Sequence, residues 1–162
     1  MRALRRLLQP CQVGTLLLIF SSNHLWEIGI FYYLIRNPRC HRLLEAEARS
    51  QFHGSHEITI LSTQRLPYLK AVIEEGMRMH PPAPGTFPRT TPPGGAMICG
   101  KSVPGGYSVG VNQCAVTRSP ENFLAPDEFA PERWMGDERF SKDRKAAFQP
   151  FSYGPRNCIG KK

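Results

Sequence analysis

A cysteine near the end of the chain stands where a thiolate could be held. Residues 151–160 read Phe-Ser-Tyr-Gly-Pro-Arg-Asn-Cys-Ile-Gly. Gly154 and Gly160 bracket Cys158 and permit backbone angles and close approaches that a β-carbon blocks. Arg156, two residues before the sulfur, supplies fixed positive charge that favours thiolate over thiol. Phe151 can cover the sulfur from water, and such cover tunes the electronics of a bound metal. Cys158 is therefore a candidate metal ligand. The competing reading is a free thiol in a basic loop, since most lone cysteines are small hydrophobes.

A second constellation is charged. Glu75 and Arg78 lie three residues apart, so on a helix they share a face and can pair. The helix predicted from Pro67 to about His80 places Leu69, Val72, Ile73, Gly76 and Met77 on one apolar stripe. Pro81-Pro82 ends it. Glu75 and Arg78 fall away from that stripe, so this helix alone predicts an exposed pair worth under about 1 kcal/mol. Pro131-Glu132-Arg133-Trp134, further on, brings another guanidinium beside a proline.

The remaining elements must position these groups. Helices are predicted from Trp26 to Asn37-Pro38 and from Pro38 to about Phe52, with proline at the first turn of the second. Residues 53–65 form a polar connection with one apolar run, Ile58-Thr59-Ile60-Leu61. Gly94-Gly95 and Gly105-Gly106 are turn signals bounding short strands near Phe87–Thr91, Ala96–Cys99 and Tyr107–Val111. The last alternates Tyr107, Val109, Val111. Ser119 to Pro150, rich in Pro, Asp, Glu and Arg, reads as irregular chain leading into the Cys158 loop.

The start of the chain has the outline of a signal peptide or anchor: basic residues 1–6, then the apolar run Leu16–Phe20. The apolar stretch from Val13 to Ile35 is interrupted by Ser21, Ser22, Asn23, His24 and Glu27. A charge at bilayer depth costs roughly 2.5–3.5 kcal/mol, so a buried or poorly ordered segment is expected rather than a spanning helix. Residues 1–27 are left unassigned.

Composition narrows the class. The 162 residues suffice for one modest domain, and 41% hydrophobic with 21% charged residues reads as globular. The net charge of +8 invites a nucleic-acid partner, but the Lys and Arg are scattered, so none is expected. A basic membrane-surface module would need the same missing charge stripe. Five cysteines without a CxxC pair argue against a disulfide framework or zinc site and for a reducing, intracellular setting.

The pattern Phe-x-x-Gly-x-Arg-x-Cys-x-Gly at 151–160 resembles the haem-ligand loop of the cytochrome P-450 superfamily, the haem-thiolate monooxygenases. Three further stretches resemble the same family: Tyr32–Pro38, Glu75-x-x-Arg78 followed by His80-Pro81-Pro82, and Pro131–Trp134. The resemblance implies haem b with Cys158 as axial ligand to iron, Arg156 and Arg89 on the propionates, and Phe151 near the sulfur. It makes Glu75, Arg78 and Arg133 a buried structural triad and puts residues 83–87 on the substrate side. The implied fold is mainly α with small β-sheets: the C-terminal part of that fold over residues 28–162, lacking the final helix and most of the N-terminal two thirds.

The family's acid–alcohol proton relay should fall before Tyr32, yet residues 14–24 hold no acid beside a threonine; Thr15 is the nearest such hydroxyl. The wording around Pro92–Gly95, Ile98–Gly100 and Phe148–Phe151 is most similar to fungal members of secondary metabolism. By resemblance the activity is insertion of one oxygen atom from O2 into a small apolar organic substrate by a monomer. Electrons come from NADPH through a flavoprotein reductase, and full-length relatives sit on the endoplasmic reticulum membrane. Lys142, Arg144, Lys145, Lys161 and Lys162 form a basic face that an acidic reductase could meet, or simply a solvated loop. The alternative is a truncated, non-catalytic remnant that binds no haem.

Overall fold

Proline punctuation sets the helical layout. In the computed structural model, which describes residues 24–155 and 157–161, α1 (His24–Arg36) stops where Asn37 precedes Pro38. The Asn37 backbone N–H donates to the Tyr33 carbonyl at 2.9 Å and closes the last turn, and its side-chain Nδ2 donates to the same oxygen at 2.8 Å. Pro38 opens α2 (Pro38–Gln51), where its missing N–H forfeits no helical bond. The connection that follows is less irregular than expected. It holds a 3-10 turn (Ser55–Glu57) and the short α3 (Ile60–Thr63), opened by a reciprocal Thr59–Ser62 capping box. Ile58 is buried there, whereas Ile60 and Leu61 stay exposed.

The central element is α4 (Pro67–Met79). No local side chain caps it. Instead Glu47 of α2 accepts the Tyr68 N–H at 2.8 Å and the Leu69 N–H at 2.9 Å, placing a carboxylate at the positive end of the helix. Leu69, Val72 and Met77 enter the core with Ile30, Leu34, Leu44 and Ala48. The crossing of α1 and α4 depends on Gly76: a β-carbon there would lie 2.2 Å from Ile30 Cγ1. Gly76→Ala is therefore expected to lose about 1–3 kcal/mol through overpacking. Combined with Ile30→Ala it should cost less than the two single changes added together. Denaturant midpoints of the three variants check both statements.

After α4 the chain makes two small antiparallel sheets. β1 (Arg89–Thr90) pairs with β4 (Ser108–Val109), and between them β2 (Ala96–Ile98) pairs with β3 (Lys101–Val103). The inner hairpin turns through Cys99 and Gly100 at φ 48° and 76°, angles that suit the twist of paired strands. β3 was not expected from sequence, nor was α5 (Gln113–Thr117), whose start is capped by Asn112 Oδ1 accepting the Ala115 N–H at 3.0 Å. The alternation of Tyr107 and Val111 does not mark a buried face, since both are exposed. A two-residue pairing offers no sheet surface to cover them. The rest is loop with 3-10 turns at Pro131–Trp134, Glu138–Phe140, Lys145–Ala147 and Ile159–Lys161.

The exposed Glu75–Arg78 pair predicted from the helix alone is overturned: both side chains are 0% exposed. The 3-10 segment Pro131–Trp134 and the loops beside it pack on the face of α4 opposite the apolar stripe, so the helix is buried on both sides. Residues 1–23, with the signal-like outline and Thr15, lie outside the described residues. Among those described, no helix is long and apolar enough to cross a membrane.

Candidate functional site

The buried charges form the frame behind the cysteine loop. Glu75 accepts from Arg78 Nη2 and Nε, both at 2.9 Å, in a bidentate pair. Its oxygens also take the Ala130 N–H at 3.0 Å and the Trp134 indole N–H at 2.9 Å. Arg78 spends its other donors on the carbonyls of Thr117, Pro126 and Glu128. Arg133 approaches Glu75 only at 3.5 Å. Its main partner is Asp143, buried beside it, with a further bond to the Leu124 carbonyl at 3.0 Å. Phe123 and Phe140, both buried, face the guanidiniums: Arg133 lies 4.1 Å from the Phe140 ring centroid, and Arg78 lies 5.4 Å from that of Phe123. The structure thus brings Glu75, Arg78 and Arg133 together, and adds two residues the sequence did not single out. Asp143 makes the cluster charge-neutral, and Trp134 supplies a donor. Neutrality matters because a buried charge without compensation costs several kcal/mol.

Trp134 also joins this frame to the loop. Its ring packs on Phe148 with centroids 4.8 Å apart, and Phe148 and Phe151 both lie against the core. From there the chain turns. Ser152 adopts φ 63°, Gly154 φ 85°, and the Asn157 N–H donates to the Gly154 carbonyl at 3.1 Å. The Cys158 N–H then donates back to the Phe151 carbonyl at 2.8 Å. Cys158 forms no disulfide and is exposed, so Phe151 anchors the loop to the core without closing water off from the thiol. Arg156 lies outside the described residues.

Arg89, on β1, is half-buried and makes no ion pair among the described residues. It lines a groove of ≈ 260 Å³ with Phe87, Gly110, Val111, Gln113, Ala147, Gln149, Ser152 and Tyr153. Phe87, Val111 and Tyr153 are all more than half exposed, which leaves apolar surface around the guanidinium. Cys158 stands on the loop that supplies Ser152 and Tyr153 but is not itself a lining residue. Gln113 was missed at sequence level; its only signal was Asn112 before a short apolar stretch, an N-cap pattern. Lys142, Arg144 and Lys145 are exposed close before the loop. The other cysteines differ in reactivity. Cys40 is buried, and that burial pushes its thiol pKa up, whereas Cys99 is exposed and Cys114 half-buried.

A helix-borne buried Glu–Arg pair, a second arginine from a 3-10 segment and a cysteine loop beyond them are the arrangement expected of the family that the sequence resembles. The chain belongs to the cytochrome P450 family, whose sequence model matches residues 29–162. It is 56% identical over 133 residues to cytochrome P450 monooxygenase aclL of Aspergillus oryzae, covering 82% of this chain and 27% of that protein. Cytochrome P450 monooxygenase astD of the same fungus is 42% identical, covering 98% of this chain and 33% of its own. A zebra fish cytochrome P450 solved with abiraterone superposes with TM-score 0.72 at 27% identity, over 86% of this chain and 31% of that one. The fold is thus a part of the P450 fold, mainly helical with small antiparallel sheets, and the resemblance to fungal members is matched. The chain spans between a quarter and a third of the length of these relatives.

Proposed function

We propose that this chain carries the cysteine-ligand side of a haem-thiolate monooxygenase. The observation that supports it most is the Cys158 loop: an exposed cysteine in no disulfide, whose backbone N–H is clipped to the Phe151 carbonyl, beside a groove holding the half-buried Arg89. The donor set fits haem b. Cys158 would hold the iron through its sulfur, Arg89 and Arg156 would meet the propionates, and the exposed apolar side chains of Phe87, Val111 and Tyr153 suit a flat aromatic macrocycle. When bound, the group would supply one-electron and O2 chemistry, which a thiolate ligand favours.

The chain's own residues contribute position and charge. The two aromatic anchors, Phe148 and Phe151, tie the loop to the frame of Glu75, Arg78, Arg133 and Asp143. The exposed Lys142, Arg144 and Lys145 form a basic face for an acidic flavoprotein reductase that passes electrons from NADPH. The substrate is a small apolar organic molecule, the partial family domain spans residues 28–162, and the protein is an intracellular monomer whose full-length relatives sit on the endoplasmic reticulum membrane. One relative, named averantin hydroxylase, is 45% identical, which agrees with C–H oxygenation as the chemistry.

A second reading has its own observation. Cys158 stays exposed to water, an open setting for an iron-bound thiolate, and on this reading the chain by itself is a non-catalytic remnant without haem. The two are separated by the reduced, carbon-monoxide-bound absorption spectrum after haem reconstitution. The first reading expects a strongly red-shifted Soret band that disappears in Cys158→Ala. Free-haem-like spectra from both proteins would establish the second. Because Cys40 is buried, thiol labelling of the same samples reports mainly on the more accessible cysteines, and haem loading should protect Cys158 among them.

A further inference from the structure

Resting on the haem-ligand reading of Cys158, we propose that Gln113 is a positioning residue for the cysteine loop: its side-chain amide pins the Gln149 carbonyl, and with it the turn that offers the Phe151 carbonyl to the Cys158 N–H. The Gln149 carbonyl is the hub of that turn. It accepts the Ser152 N–H at 2.9 Å, which closes the turn, and Gln113 Nε2 at 3.1 Å, so both lone pairs are used. Only the amide nitrogen can donate to a carbonyl, which fixes the orientation of the Gln113 amide.

The turn needs this support. Ser152 sits at φ 63°, a left-handed conformation that a side-chain-bearing residue keeps only where its surroundings over-determine it. Cys158 hangs from the next link, its N–H on Phe151, one residue before Ser152. Gln113 is itself well placed to hold a loop. It opens α5, whose start is fixed by the Asn112 cap, and Asn112 pairs with Thr86 in an isolated antiparallel bridge. The series Thr86, Asn112, Gln113, Gln149, Phe151, Cys158 therefore couples the rim of the groove to the sulfur. Arg89 lines the same groove as Gln113.

The test uses the full 162-residue chain and two variants, Gln113→Ala and the near-isosteric Gln113→Glu, which replaces the donor by an acceptor. Amide hydrogen exchange is followed without haem in peptides covering 151–158 and 67–79. The expected result is exchange about fivefold faster or more at the Cys158 amide in both variants, the factor one neutral hydrogen bond supplies, with α4 unchanged. Three results would each overturn the proposal: protection retained in Gln113→Glu, an equal acceleration in α4, or a Cys158 amide already exchanging at the free-chain rate in the unmodified chain. Reconstitution with haem then separates this claim from the reading beneath it. Absence of the red-shifted band in the unmodified chain removes the haem reading while exchange still decides the role of Gln113. A band with unaltered exchange in the variants removes the role of Gln113 and leaves the haem reading standing.

Discussion

Glu75→Gln is expected to lose about 3–5 kcal/mol of folding stability, a large fraction of the about 5–15 kcal/mol usual for a folded domain. Glu75 is fully buried, and its two oxygens receive Arg78 twice, the Ala130 N–H and the Trp134 indole, with Arg133 Nε at 3.5 Å. Gln has nearly the same shape but turns one acceptor into an NH2 group. Whichever way that amide lies, a donor then faces donors, and two guanidiniums remain buried against a single carboxylate. Loss of the carboxylate is worse than its volume suggests because water cannot reach the site to compensate. Far-ultraviolet circular dichroism against denaturant measures the change. A midpoint within error of the unmodified chain would show that the cluster does not hold the fold.

Asp143→Asn should be the next most damaging single change, at about 3 kcal/mol, although nothing in its local sequence distinguishes it. Asp143 is the close partner of Arg133, and its other oxygen accepts the Leu124 N–H at 2.8 Å. An amide can keep one of those bonds but not the charge balance. The sharper test is the pair. Arg133→Met with Asp143→Leu removes one charge of each sign and leaves Glu75–Arg78 intact, so the double variant should be more stable than Asp143→Asn alone. If the double variant loses the sum of its single changes, the neutrality of the cluster is not what stabilises it. Both variants also probe function, since Trp134 and Phe148 connect this cluster to the cysteine loop. With either charge removed, reconstitution should yield less of the thiolate-type carbon-monoxide band even in the molecules that remain folded.

Much was legible in the chain itself. Prolines at 38 and 67 and the pair at 81–82 mark helix starts and stops because they restrict φ and remove a donor, an effect independent of the rest of the fold. The spacing of Leu69, Val72, Gly76 and Met77 gave the core face of α4, because a helix repeats every 3.6 residues wherever it lies. The glycine-bracketed Cys158 and the Glu75-x-x-Arg78 spacing were visible as residue types at fixed separations. What only the tertiary structure decided is which surfaces meet. Seen alone, α4 has one apolar stripe and an apparently solvated Glu–Arg pair. The Pro131–Trp134 segment, more than fifty residues later, covers that pair and reverses its environment. The roles of Asp143, Trp134 and Gln113 arise in the same way. Each lies in a short or irregular segment with no period to read; Trp134 and Gln113 act on partners distant in sequence and Asp143 on one ten residues away across an irregular loop, so only the folded chain reveals those partners. Local propensity is written residue by residue; burial and charge balance belong to the assembled whole.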